Sequence, residues 1–195
     1  MENILFTLTT QESQLVRYVN LIKGQMLFNE GDLCECIGIV INGEIEIISY
    51  TATGREIIYN SLNQNMVFGN NLIFSSDPHY KGAVVAKNDA KIGLIYKKDL
   101  IYLLQNNENF MLSYLCYQSD TGKQLNATIK LLSIDSAEER LLYYTYRNSG
   151  VIRYKSITQL ASTLHLQRET LSRLISRLVK EKKIIKGNKV IKTLK

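Results

Sequence analysis

The sequence predicts an α+β chain in three parts: an all-β N-terminal body, one long helix, and a C-terminal helix-turn-helix closed by a β-hairpin wing. Three observations predict it. Residues 21–96 consist of short β-branched runs cut by turn residues. Met111 to Leu132 carries a strict heptad. Residues 135–195 combine helical periods with 14 Lys/Arg against 5 Asp/Glu, a charge of +9.

In the first part, Ile37, Ile39 and Ile41 alternate along a strand. Asn42-Gly43 is a type I′ hairpin signal, followed by Ile45 and Ile47. Thr53-Gly54 marks the next turn, then Ile57-Ile58-Tyr59, and Phe68-Gly69-Asn70-Asn71 breaks the chain again. Val84-Val85-Ala86 and Ile92 to Tyr96 read as the last strands. Many short strands with few helical periods predict a barrel, sandwich or jelly roll.

From residue 97 the pattern turns helical. Lys98 to Leu104 fits a short helix. Met111, Leu115, Gln118, Gly122, Leu125, Ile129 and Leu132 then follow at steps of 4 and 3, a narrow seam suited to pairing with the same helix of a second copy. The competing reading is a helix packed on its own barrel. Gln118 and Gly122 are poor knobs, a soft point that suits a two-state switch.

In the last part, Asp135 or Ser136 caps a helix, with Glu138 and Glu139 three residues on. Asn148-Ser149-Gly150 ends it and Val151 to Tyr154 is a short strand. Ser156 and Gln159 form a second capping box for a helix with Leu160, Ala161 and Leu164 inward. After a turn at His165-Leu166, Leu171, Leu174, Ile175 and Leu178 lie at i, i+3, i+4, i+7. Arg168, Glu169, Ser172, Arg173, Ser176 and Arg177 fill the other face. Ile184-Ile185 and Val190-Ile191, joined around Gly187-Asn188, give the wing. Arg matches guanine O6 and N7, Glu accepts from cytosine N4, and Ser172 suits a base edge or a phosphate. A solvated face with an i,i+4 Glu–Arg pair is the bland alternative.

Composition bounds the function. With 45% hydrophobic and 22% charged residues in 195, the chain is globular, large enough for one large domain or two small ones. Residues 1–134 hold 10 Lys/Arg against 13 Asp/Glu, a charge of −3, so the cationic charge sits in the last third and points to a polyanion partner, with a solvated Lys-rich surface as the alternative; the helix-turn-helix makes that polyanion double-stranded DNA. No apolar run approaches a membrane span, and Met1-Glu2-Asn3-Ile4 lacks the basic start of a secretory signal. Three cysteines make no disulfide framework, which places the chain in the reducing cytoplasm. The chain lacks a P-loop, a G-x-S-x-G, an H-E-x-x-H and a Rossmann fingerprint, and it has two histidines, so no enzyme is expected. A ligand-binding barrel anchored to RNA or another partner by its basic tail is the second reading.

Arg168-Glu169-Thr170-Leu171-Ser172-Arg173 resembles the recognition helix of the Crp/Fnr transcription regulators. Gly24 to Asp32 resembles the family's first β-roll motif, and Asn42-Gly43, Gly54-Arg55-Glu56 and Phe68-Gly69 fall in the family's order. The resemblance spans residues 15 to 190. It implies an N-terminal β-roll sensor, double-stranded and jelly-roll-like, over 1–106; a dimerisation helix over 107–134; and a winged helix-turn-helix over 135–195. It implies a bacterial homodimer that places residues 167–179 in the major groove of an inverted repeat with TGA-containing half-sites. Arg168, Glu169, Ser172 and Arg173 would face bases, Thr158 a phosphate, and Lys189 in the wing the backbone. RNA polymerase and an unidentified small effector complete the partners the resemblance admits. His165 replaces the family's turn glycine, and His tolerates positive φ better than most residues. Gln167 replaces a small N-cap.

The effector pocket of the family maps to Gly69, Asn70, Tyr80, Lys81, Leu125 and Asn126. Members that bind cyclic AMP carry Gly-Glu and Arg-Ser at its two ends. Here Gly69-Asn70 and Tyr80-Lys81 stand instead, and Leu125 replaces a hydrogen-bonding group. The ribose carboxylate and the phosphate fork are lost, so cyclic AMP is not the expected effector. Cys34, Cys36 and Cys116 cannot supply the four ligands of an Fnr-type cluster, and His79 and His165 offer little to a haem. No cofactor and no metal are expected.

Overall fold

The computed structural model describes residues 4–194. Met1–Asn3 and Lys195, the ends of the expected first and last domains, lie outside the described residues. The chain divides into two compact units, one up to Asp120 and one from Thr121.

In the first unit the strands are β1 (Arg17–Leu21), β2 (Met26–Phe28), β3 (Cys36–Asn42), β4 (Ile45–Tyr50), β5 (Glu56–Leu62), β6 (Val67–Phe68), β7 (Ala83–Ala86) and β8 (Ala90–Tyr96). They form two antiparallel four-stranded sheets, ordered β1-β8-β3-β6 and β2-β7-β4-β5. Ile37, Ile39, Ile45, Val84, Ile92 and Ile95 are wholly excluded from solvent and belong to one core. Each contributes about 1.5–3 kcal/mol of apolar transfer. In β3 the first five residues are all buried, which breaks the expected alternation. The reason is a second cover: Leu100 and Leu103 of helix α1 (Lys97–Asn106) and Phe110 of helix α2 (Glu108–Leu132) join the same core.

Asn42-Gly43 is not the expected hairpin. β3 pairs with β8 and β6, whereas β4 pairs with β5 and β7, so the chain crosses there from one sheet to the other. Of the two residues only Gly43 has positive φ, +86°, while a type I′ turn needs both. A Cβ at Gly43 would lie 2.4 Å from the carbonyl oxygen of Asp89. The corner is held from a distance: Asn88 Oδ1 accepts from the Glu44 N–H at 2.9 Å. The turn after Thr51 does close a hairpin, β4 to β5, with the Arg55 N–H donating to Thr51 Oγ1 at 3.0 Å.

Two 3-10 turns precede the strands, at Ile4–Thr7 and Glu12–Leu15. Asn107 ties them to the start of α2. Its amide donates to Thr7 O and to the Glu12 carboxylate, and its Oδ1 accepts from the Phe110 N–H at 2.9 Å. The Glu12 carboxyl is held below its ordinary range, first by the Thr9 backbone N–H.

The second unit holds the rest of α2, then α3 (Ala137–Arg147), β9 (Val151–Arg153), α4 (Ile157–Thr163), α5 (Arg168–Lys180), β10 (Ile184–Gly187) and β11 (Val190–Thr193). Ser136 is the N-cap of α3, its Oγ accepting from the Glu139 N–H at 3.3 Å. Ser156 caps α4, accepting from the Gln159 N–H at 3.1 Å. Leu141, Leu160, Leu164, Leu171, Ile175, Leu178 and Ile191 form the core. The small sheet runs β10-β11-β9. Gly187 faces Val190, so the wing turns on Asn188 and Lys189 rather than on Gly187-Asn188. Among the described residues no helix is long and apolar enough to cross a membrane, and no group of His, Cys, Asp or Glu could hold a metal ion.

Candidate nucleic-acid interface

The helix-turn-helix is α4, a short turn and α5. His165 takes φ +51°, the left-handed geometry that makes glycine the commoner choice there. The N–H of Leu166 donates to Ala161 O at 2.9 Å, closing the end of α4. Arg140 holds the same end from α3. Its guanidinium donates to Leu164 O at 3.1 Å and His165 O at 3.2 Å, and with two further bonds to Ile134 O. A cation on the last carbonyls of a helix is favoured by the helix dipole. Sequence reading missed Arg140, because its partners are carbonyls up to 25 residues away and carbonyls carry no sequence signal.

Helix α5 buries Leu171, Leu174, Ile175 and Leu178 and exposes Arg168, Glu169, Ser172, Arg173, Ser176 and Arg177. Gln167 makes no side-chain cap, so the first backbone N–H groups of α5 stay open to an acceptor. Arg168 and Glu169, on the first turn, have no ion-pair partner among the described residues. The i,i+4 pair takes a different form from a carboxylate bridge: Arg173 Nε donates to the backbone oxygen of Glu169 at 3.4 Å, leaving the carboxylate open.

Arg177 is committed elsewhere. It donates to Glu138 of α3 at 2.8 Å, and Lys183 donates to the same carboxylate at 2.6 Å and to Glu181 at 3.0 Å. The Lys183 hydrogen bond, above all, holds the Glu138 carboxyl below its ordinary range, and Lys183 is raised in return. Thr158 is exposed on the first turn of α4. Lys189 is exposed at the wing turn with φ +54°, and its carbonyl accepts from the Tyr154 N–H at 3.1 Å.

Of the six effector-pocket candidates, Gly69, Asn70 and Tyr80 come together in the first unit. Gly69 has φ +75°, and a Cβ there would meet Cys36 O at 2.8 Å and Cys34 Sγ at 3.1 Å. Asn70 is buried, and its side-chain amide donates to Gln118 Oε1 of α2. Gln118 Nε2 donates to Asn70 O at 3.0 Å, and the Tyr114 hydroxyl donates there at 3.3 Å. Tyr80 is buried, stacks on Phe28 with ring centroids 4.8 Å apart, and donates to Cys36 O at 3.4 Å. Burial raises its phenol, pushes Tyr114 and Cys36 up to about 12, and raises Cys34. Lys81 is exposed and pairs with Asp77, which also bonds His79. Leu125 and Asn126 belong to the second unit and are exposed.

On α2, Leu115, Gly122, Leu125, Ile129 and Leu132 are exposed at heptad steps, with Leu112 beside them. Met111 is half-buried. Gln118 is half-buried and spent on Asn70.

Residues 18–107 match the family model of the cyclic nucleotide-binding domain. Against curated proteins the sequence finds no match. Among solved structures, the Thermus thermophilus catabolite activator protein is 18% identical with TM-score 0.57, over 99% of this chain and 94% of that one. A CooA mutant from Carboxydothermus hydrogenoformans is 15% identical with TM-score 0.68, over 98% and 89%. DNR from Pseudomonas aeruginosa is 24% identical with TM-score 0.52, over 100% and 91%. At such identities the likeness carries the fold.

Proposed function

We propose that this chain, which has the fold of the Crp/Fnr regulators and carries a cyclic nucleotide-binding domain over residues 18–107, is a homodimeric, sequence-specific DNA-binding regulator of transcription rather than an enzyme. The observation that carries the reading is the first turn of α5. Arg168 and Glu169 stand exposed there with no ion-pair partner among the described residues, on a helix whose opposite face is locked into a core, within a segment of charge +9. Two such helices, one per protomer, sit about one DNA turn apart, roughly 34 Å, in the major groove of an inverted repeat with TGA-containing half-sites. Arg168, Glu169 and Arg173 read base edges. Ser172 contacts a base edge or a phosphate beside them, while Thr158 and Lys189 hold the backbone and fix the register.

The second copy docks on the exposed stripe of α2. Its heptad spacing, with large apolar side chains left in water, supports a coiled-coil partner. The β-roll does not take cyclic AMP as its effector. Supporting this, Asn70 stands where the ribose carboxylate would be needed and its amide is already spent on Gln118, while Lys81 is paired with Asp77. RNA polymerase is a further partner that a cytoplasmic regulator of this plan, activator or repressor, would meet at a promoter.

Selection of binding sites from random duplexes with the purified protein tests the reading. An inverted repeat is expected. Glu169→Ala relaxes discrimination at one base pair by about 1–3 kcal/mol, while Lys189→Ala weakens all duplexes alike and lowers the salt slope by about 1. Equal affinity for random and selected duplexes refutes it.

A further inference from the structure

The second unit holds a cleft of 280 Å³ between the C-terminal half of α2, helix α3 and the end of α4. Its floor is apolar: Leu131, part of the core, and Ala127. Its walls are the half-buried phenols of Tyr143 and Tyr144, with Thr128 and the exposed Arg147 at the side.

Three features point to one ligand chemistry. Neither tyrosine hydroxyl hydrogen-bonds to a described residue, and Arg147 has no carboxylate partner among them. No Asp or Glu lines the cleft, and Lys130 Nζ sits 5.6 Å from the centre of the Tyr143 ring, so the surrounding charge is positive. The volume lies just below the usual range of ligand pockets, enough for a single ring and too small for a nucleotide.

We infer that this cleft is a binding site for a small aromatic carboxylate. The ring packs against the phenols over Leu131, and the carboxylate takes the planar fork of Arg147, which pairs with carboxylates bidentately. The tyrosine hydroxyls and Thr128 supply further donors to its oxygens. A cationic ligand is repelled by Lys130 and Arg147. The site is lined by residues of the second unit alone, and it stands whether or not the chain binds DNA. Its occupant would bridge α2 to α3, the helix that carries Arg140 and Glu138, and both of those residues hold the helix-turn-helix.

Titration calorimetry of the full chain tests this, with benzoate as probe, acetate as the charge without the ring, and benzyl alcohol as the ring without the charge. Benzoate is expected to bind with a dissociation constant of roughly 1 mM or tighter, and the two controls to bind at least about tenfold more weakly. Arg147→Gln, an exposed position that leaves the core intact, weakens benzoate about tenfold or more. Ala127→Leu fills the floor and does the same. Absence of benzoate binding, acetate binding as tightly as benzoate, or an unchanged benzoate affinity in Arg147→Gln would each overturn the proposal.

Discussion

Leu125→Ala separates a dimer-forming α2 from one that only packs on its own chain. Leu125 is 60% exposed, so truncation removes little from the folded protomer. Fully burying a leucine contributes about 1.5–3 kcal/mol. At 60% exposure, covering Leu125 therefore contributes roughly 1–2 kcal/mol per protomer. A two-fold interface counts each side chain twice, giving roughly 2–4 kcal/mol per dimer. At about 1.4 kcal/mol per decade, the dimer dissociation constant rises roughly 30- to 1,000-fold. Sedimentation equilibrium over a concentration series reads the constant directly, and circular dichroism confirms that helix content is retained. An unchanged dissociation constant, or a wild-type chain that is monomeric at every concentration, refutes the reasoning.

Ser156→Ala removes the N-cap of α4 and is expected to cost about 1 kcal/mol, roughly 4–8 °C in the melting temperature of the second unit, whereas Ser156→Gly loses only a few tenths. Calorimetric melts showing no gap between the Ala variant and wild type would count against the cap. Glu138 is held below its ordinary carboxyl value by Lys183 and Arg177. Its contribution is therefore present above the unfolded value and is lost as pH falls through the folded one. Denaturant melts should show Glu138→Gln less stable than wild type at neutral pH, with the gap closing in acid; a gap independent of pH contradicts this. Cys34 and Cys36 are buried with raised thiols, while Cys116 is exposed. A thiol reagent at neutral pH should modify one cysteine quickly, and Cys116→Ser should abolish that fast phase; two fast thiols would show the β-roll opening.

Local chemistry made the second unit legible. Capping at Ser136 and Ser156, the spacing of Leu171, Leu174, Ile175 and Leu178, and positive φ at His165 all concern residues within a few positions of each other. The wing lies where the pattern predicts it, but its turn lies one residue further on, because Gly187-Asn188 and Asn188-Lys189 are both acceptable turn pairs and only the pairing of Gly187 with Val190 chooses. In the first unit Asn42-Gly43 misled for a related reason. A local turn signal states that the chain bends and not which sheet it bends into.

Composition and periodicity by themselves determined that this chain is a β-rich body joined by a long helix to a cationic helix-turn-helix. Those features arise from side-chain periods of two and 3.6 residues and from net charge, which neighbours in sequence decide among themselves. Tertiary structure alone decided the crossing at Gly43, the Asn70–Gln118 exchange across 48 residues, the Arg140 hold on the carbonyls after α4, and the split of Arg168 and Glu169, without an ion-pair partner among the described residues, from Arg177, tied to Glu138. Each is a hydrogen bond, an ion pair or a steric limit between residues remote in the chain. Such contacts act within a few ångströms, so only the packed fold selects which of many equivalent partners is near enough.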